Sequence, residues 1–431
     1  MKDLVPDKIS GTRSLEERWK GGAMEYITRS IEQSFLEANR TYKVVLVVGA
    51  EQIGKTTMMK HLSQGQNRTY VSLDDLHPRT LADTEPDLFF EIFRPPVIIN
   101  EIHFAPSILH KMKEICEQSE ESGLFWLACP PKAAFIKDAK DILGSSVVVL
   151  EMYGLSMREK KNLALEAPLH FSYDEMKVRE RLAPKKNSAE TFRHIWRGGL
   201  PDMIDISQKN KTKRFWHYFY EGLMYQVQQS KKVKHLTEFS DFLSACAVNI
   251  CKVLSVRRLA QASGVSCPTA TKWLQLLIDI GVIYLLEPYE NDEIPRLIGR
   301  PKLYFTDTGL CSYISNWKTP EELMYGAESA AYFENFVIME LVKNFANRSD
   351  GIKLRFLRDC NCREIDVVVV AGRKLHPFEI DKAAAPWRDV TKKFSLFDEK
   401  SIIRGSGGII CSCKEVELID EQDYLLPCHL L

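Results

Sequence analysis

Residues Gly49-Ala50-Glu51-Gln52-Ile53-Gly54-Lys55-Thr56 spell G-x-x-x-x-G-K-T, and the stretch around them decides the fold. Ahead of it runs the apolar strand Val44-Val45-Leu46-Val47-Val48; behind it Thr57-Met58-Met59-Lys60-His61-Leu62 opens a helix. Strand, glycine loop and helix start form the context in which this motif cradles phosphate. Glycine lets the backbone wrap an anion without Cβ clashes, and the N–H groups at a helix N-terminus point at it. Lys55 can reach the β and γ phosphates, and the Thr56 hydroxyl can take one position on Mg²⁺. A glycine turn before an ordinary helix would need neither residue. Gly49 through Thr57 are therefore expected to bind a purine nucleoside triphosphate, ATP, with Mg²⁺.

Outward from the loop, the pattern is one of short apolar strands separated by helical stretches. A helix is expected over 23–38, then strands at 70–73, 95–101, 124–129 and 147–150. Such alternation gives a parallel sheet with helices on both faces, and its ligands bind at the carboxyl ends of the strands. Residues 155–235 change to basic, amphipathic helical stretches. From Ser255 two helices separated by Gly264 precede strands at 281–286 and 302–305, which reads as a winged helix-turn-helix. Ser266 is the expected cap of the second helix. That helix offers only Lys272 beside Thr269, Thr271 and Gln275, so docking against another domain or protein is preferred to reading DNA. The last hundred residues read as α+β, with a helix at 333–340 and strands at 354–357, 364–370 and 375–380. The resulting division is 1–40 N-terminal helical segment, 41–160 nucleotide-binding core, 161–235 helical connector, 236–325 winged helix and 326–431 α+β domain.

At 431 residues, 45% hydrophobic and 27% charged, the composition is that of an ordinary globular chain of two or three domains. Lys plus Arg and Asp plus Glu both number 58, so no global basic field argues for nucleic acid. No apolar run approaches the roughly 20 residues of a membrane span. Eleven cysteines without a secretion signal suggest free thiols in a reducing cytoplasm. Cys360, Cys362, Cys411 and Cys413 come as C-x-C pairs, not the spacing of a zinc site.

Hydrolysis needs more than a cradle. A carboxylate on a neighbouring strand usually helps hold Mg²⁺, and an adjacent Glu orients the attacking water. The strand Val97-Ile98-Ile99 ends on Asn100-Glu101. Glu101 is the expected base. Asn100 stands where the metal-side Asp belongs, keeping an oxygen acceptor but losing the charge a hard dication prefers.

Here the chain resembles a bacterial and archaeal family of predicted AAA-superfamily ATPases, in which the core precedes a winged helix and a nuclease-like C-terminal domain of unknown function. The resemblance spans residues 25 to 385. It rests on the loop, on Asn100-Glu101-Ile102-His103-Phe104-Ala105-Pro106 and on Leu155-Ser156-Met157-Arg158-Glu159. Gly198-Gly199-Leu200-Pro201, Pro301-Lys302-Leu303-Tyr304-Phe305-Thr306-Asp307-Thr308-Gly309-Leu310, Phe333-Glu334-Asn335-Phe336 and Arg363-Glu364-Ile365-Asp366 complete it. It implies an α/β P-loop NTPase of AAA type, followed by the winged helix and a small α+β domain of restriction-endonuclease type.

Departures from the family pattern shift the expected activity. Ala128-Cys129-Pro130 replaces a polar Thr-Gly-Ser, and Gly144-Ser145-Ser146-Val147 replaces a segment carrying Arg. If that Arg serves as a finger, losing it costs about 10³–10⁵ in rate. The resemblance also implies a nuclease-like metal site at Glu334, Asp366 and Glu379, but Asp381 stands where the family has its lysine and Lys382 falls on the other strand face. Three functions are thus expected in descending order. The first is ATP binding with slow or partner-dependent hydrolysis. The second is a nucleotide-switched regulatory module with a protein partner or DNA, and the third is Mg²⁺-dependent nucleic-acid cleavage.

Overall fold

The computed structural model describes residues 26–164, 169–182, 188–204, 206–290, 299–348, 350–359, 363–398 and 403–431. Its first sheet contains β1 (Val44–Val48), β2 (Thr69–Ser72), β3 (Val97–Asn100), β4 (Phe125–Cys129) and β5 (Val147–Glu151). All pair in parallel, in the order β2-β3-β4-β1-β5. Every residue of β1 is buried: Val45 and Val47 join one apolar cluster, while Val44, Leu46 and Val48 join another. Burial on both faces is why these strands read as unbroken apolar runs. The register sets Val47, Ala128 and Asn100 side by side and Val48 beside Cys129 and Glu151, so the ends of four strands share one edge.

The helix expected from residue 23 starts later. α1 is Glu32–Thr41, and residues 23–25 lie outside the described residues. Glu32 Oε1 accepts the Arg29 N–H and the Tyr26 hydroxyl, both at 2.6 Å, and this holds residues 26–31 in a turn. α2 (Lys55–Leu62) follows the glycine loop.

The connector holds helices Tyr173–Leu182, Ser188–Arg197, Gln208–His217 and Met224–Gln229. Helices Leu236–Val248, Val256–Ala262 and Cys267–Asp279 come next, then the antiparallel pair β6 (Ile283–Leu286) and β7 (Lys302–Phe305). Ser255 Oγ accepts the Arg258 N–H and Ser266 Oγ accepts the Thr269 N–H, so the two serines cap their helices. The last segment packs helix Ser329–Phe345 on a mixed sheet. Its strands are β8 (Lys353–Arg358), β9 (Glu364–Ala371), β10 (Lys374–Asp381), β11 (Ile403–Arg404), β12 (Gly407–Cys411), β13 (Glu417–Leu418) and β14 (Asp423–Pro427).

These parts share a core. One apolar cluster runs from Val45 and Trp126 under the first sheet, through Phe239 and Trp273, to Phe333 and Phe378 of the last segment. Three of the sequence motifs lie along this seam. Leu155 N–H donates to the Gly199 carbonyl at 2.6 Å, and Gly199 N–H donates to Asp307 Oδ2 at 2.6 Å. Asp307 Oδ1 in turn caps helix Thr308–Ile314 by accepting the Leu310 N–H. The Asn347 amide binds both backbone groups of Glu151, accepting its N–H at 2.8 Å and donating to its carbonyl at 2.7 Å. Among the described residues no helix is long and apolar enough to cross a membrane.

Candidate functional site

The glycine loop leaves β1 between β4 and β5. Gly49 N–H donates to the Cys129 carbonyl, and a Cβ at 49 would lie 2.2 Å from the Met152 carbonyl oxygen, so only glycine fits. Gly54 takes a left-handed φ of 97° and starts α2. Lys55 is buried, and its Nζ donates to the Gly49 and Ala50 carbonyls at 2.8 and 2.7 Å. Burial lowers its pKa against the charges of Glu101 and Glu51.

Thr56 and Asn100 meet. Thr56 Oγ1 donates to Asn100 Oδ1 at 2.8 Å, and Asn100 Nδ2 donates to Ser72 Oγ at 3.1 Å. Ser72 Oγ donates to Asp74 Oδ2 at 3.3 Å, so the chain of bonds ends on a carboxylate that sequence reasoning missed. Its signal was an Asp just past the end of β2, at the ligand-binding edge. Glu101 closes β3 with a φ of 55°, a conformation that costs a non-glycine residue about 1–3 kcal/mol and tends to persist at functional sites. Burial works to raise its pKa, but His103, with Nδ1 3.3 Å away, and the charges of Lys55 and Lys132 bring it below the usual carboxylate range. Glu101 is therefore held ionised beside the loop. Glu51 is pushed up to about 8, by burial first and by Glu101 next.

A brace that the sequence did not announce holds the loop from behind. Arg29 donates from Nη1 to the Ile53 carbonyl at 2.8 Å and from Nη2 to the Tyr153 carbonyl at 2.6 Å. Its Nε donates to Glu159 Oε1 at 3.1 Å. Glu159 is buried; burial opposes its charge, but Arg29 and the N–H groups of Ser156 and Ser30 outweigh that and lower its pKa. Gly281 packs so closely on the other side that a Cβ there would lie 3.0 Å from the Ala50 nitrogen. Between the loop and the β6–β7 pair opens a cavity of about 190 Å³, lined by Ala50, Ile53, Tyr153, Tyr218, Ile283 and Tyr284 among others.

The altered positions have definite places. Ala128 is buried between Val47 and Asn100, the strip a polar sensor would occupy. Burial pushes the neighbouring Cys129 thiol up to about 12. Gly144–Ser146 precedes β5, at the opposite edge of the sheet from the loop. With five residues of strand between at about 3.3 Å each, an Arg there would lie far from this chain's own loop.

Glu334, Asp366 and Glu379 are brought into one region, but with lysines among them. Lys302 of β7, 2% exposed, lies 3.2 Å from Glu334 Oε1, 2.6 Å from Glu364 Oε1 and 3.9 Å from Asp366 Oδ1. Tyr304 hydroxyl donates to Glu334 at 2.7 Å, and Lys393 Nζ lies 2.6 Å from Glu379 Oε2. Burial raises Glu334 to about 7 and also raises Asp366 and Glu379. Among the described residues no group of three or more His, Cys, Asp or Glu side chains is placed to hold a metal ion. Of the residues expected to form a metal site, Glu334 is paired with Lys302 and Glu379 with Lys393, so ammonium groups stand beside these carboxylates. Lys382 does turn away, donating to Ser329 Oγ at 2.5 Å. Cys411 and Cys413 are free, buried thiols, while Cys360 and Cys362 lie outside the described residues.

Comparison with known proteins finds three matching stretches of the chain. Residues 41–161 match the model of an AAA domain, and residues 188–321 and 329–431 match two domains of unknown function, DUF8612 and DUF4143. The uncharacterized protein Rv2008c of Mycobacterium tuberculosis is 21% identical over 360 residues, 82% of this chain and 74% of that protein. Among solved structures, the Walker-type ATPase PABY2304 of Pyrococcus abyssi is 11% identical with a TM-score of 0.37, covering 66% of this chain and 94% of that one. The RuvB Holliday junction branch migration motor of Thermotoga maritima is 14% identical with a TM-score of 0.30, covering 59% and 88%. Motif, strand order and family match concur: residues 41–161 are an AAA-type P-loop ATPase domain, carried in one chain with two domains of unknown function.

Proposed function

We propose that the chain binds ATP with Mg²⁺ at Gly49–Thr57 and hydrolyses it slowly, with Glu101 orienting the attacking water. The observation that carries this reading is the meeting of Thr56 with Asn100 at the strand edge, where the buried Lys55 of the loop and the buried Glu101 that closes β3 stand together. Thr56, Asn100 and Asp74 offer the oxygen donors a hard dication takes. When bound, Mg²⁺ supplies neutralisation of the phosphate oxygens. The apolar cavity beside the loop suits the purine base. Apolar Ala128 and Cys129 in place of a polar sensor support slow turnover. Steady-state phosphate release tests the reading. Glu101→Gln should lower it at least a hundredfold with ATP affinity retained, and unchanged turnover would remove Glu101 from the chemistry.

Asp74 is read as supplying, through Ser72, the negative charge that Asn100 lacks. A unit charge a few Å from a cation is worth about 1–4 kcal/mol near a protein surface. Asp74→Asn should therefore weaken the Mg²⁺ dependence of ATP binding roughly fivefold or more, and Asn100→Asp in that background should restore it. Calorimetric titration with and without EDTA measures both, and an Asp74→Asn protein as Mg²⁺-dependent as the parent would reject the role.

A second reading makes nucleotide a switch for residues 188–321. Gly281 on Ala50, and Gly222 packed toward Gln52, favour it, because any shift of the loop meets that segment directly. Its partner is then a protein, with DNA contact by the helix-turn-helix as the weaker form. Cys116, Cys129, Cys246, Cys251 and Cys311 are buried free thiols, which supports a reducing, cytoplasmic setting.

A further inference from the structure

Far from the glycine loop, at the seam between the two domains of unknown function, lies a cavity of about 260 Å³ lined by Val253, Ser255, Arg258, Arg300 and Arg358. Three of its five lining residues are arginines, and they come from three separate pieces of chain. Arg258 is on helix Val256–Ala262, Arg300 just precedes β7, and Arg358 ends β8. The counter-charge is scant. Glu364 Oε2 lies 3.4 Å from Arg358 Nη1, but its other oxygen is committed to Lys302 at 2.6 Å. One carboxylate is thus shared between two cations. Arg358 Nε is buried with no hydrogen-bond partner among the described residues. Arg258 and Arg300 pair with no carboxylate among the described residues.

Three guanidinium groups around one cavity repel each other, and a buried N–H without an acceptor is costly. An anion with several oxygens relieves both. Guanidinium presents a planar fork of donors that matches phosphate in bidentate fashion, which is why arginine is favoured over lysine for this task. We propose that this cavity binds a phosphate group, carried either by a nucleic-acid backbone or by a free oligophosphate. The site is independent of the ATPase reading. A chain of zero net charge could then contact nucleic acid through positive charge concentrated at this one cavity.

The test uses full-length protein carrying Lys55→Ala, so that the glycine loop does not compete for the probe. Two probes are titrated, inorganic pyrophosphate by calorimetry and a fluorescein-labelled single-stranded oligonucleotide by anisotropy. The variant is Arg258→Ala with Arg300→Ala, both exposed, with an unchanged thermal midpoint as the check on folding. If the phosphate belongs to a nucleic acid, the variant binds the oligonucleotide at least tenfold more weakly, and the slope of log affinity against log salt falls by roughly one unit. If it belongs to a free oligophosphate, pyrophosphate binding falls tenfold and the oligonucleotide is unaffected. Arg258→Lys with Arg300→Lys should recover only part of the loss, since the charge returns without the fork. Absence of binding of both probes to the unsubstituted cavity, or affinities unchanged in the alanine variant, would overturn the proposal.

Discussion

Lys55→Ala is expected to lower ATP affinity by between about thirtyfold and several thousandfold, the roughly 2–5 kcal/mol that follows removal of one partner from a buried charge pair. The size of the effect comes from the surroundings of the ammonium. Glu101 is the carboxylate that acts most strongly on Lys55, with Asp74 acting more weakly, while Glu51, pushed up to about 8, carries little charge at neutral pH. A polyphosphate entering without Lys55 would meet those groups with Lys132 as the next cation acting on Glu101. The loss is therefore repulsion exposed as well as hydrogen bonds removed. Lys55→Arg should not rescue, because the buried space around Nζ is closed by the Gly49 and Ala50 carbonyls and a wider fork does not fit it. Titration with a fluorescent ATP analogue measures both variants. Undiminished affinity in Lys55→Ala would show that nucleotide binds elsewhere.

How much of this was legible in the sequence depends on how far each residue reaches. The five strands and the loop were readable because their signals are local: apolar runs forced by burial on both faces, and glycines forced by a close approach. Asn100 and Glu101 were readable because a strand end two strands away still follows from parallel topology. Arg29 was not. It lies in a stretch with helical spacing and reads as a solvated basic residue, and only the fold brings it to Ile53, Tyr153 and Glu159. Lys302 escaped for the same reason: it lies within an apolar strand of one module, yet its ammonium neutralises carboxylates of another. The motifs Leu155–Glu159, Gly198–Pro201 and Pro301–Leu310 could be read as signatures but not as to purpose. The structure shows Gly199 and Asp307 as a seam between segments and Glu159 as the anchor of the loop's brace. The strands after residue 400 went largely unread, since two of them are only two residues long.

The anchor leads to the second large effect. Arg29→Ala should cost about 3–5 kcal/mol of stability, because it strands Glu159 as an uncompensated buried charge. The remaining donors to Glu159, the N–H groups of Ser30 and Ser156, are backbone dipoles and replace only part of a guanidinium. The thermal midpoint should fall by several degrees. ATP affinity should fall as well, since Ile53 loses the donor that fixes the loop from behind. The pair can be separated from simple loss of packing by a double-mutant cycle. Arg29→Met with Glu159→Gln removes both charges and keeps most of the volume, and replacing a buried ion pair whole is often close to neutral. The double variant should therefore be more stable than Arg29→Met alone, with a coupling energy of about 1–3 kcal/mol for groups in direct contact. Denaturant unfolding of the four proteins reads this coupling. Additive losses would mean that Arg29 stabilises the loop through its carbonyl contacts alone, and that Glu159 serves only the local turn at Ser156.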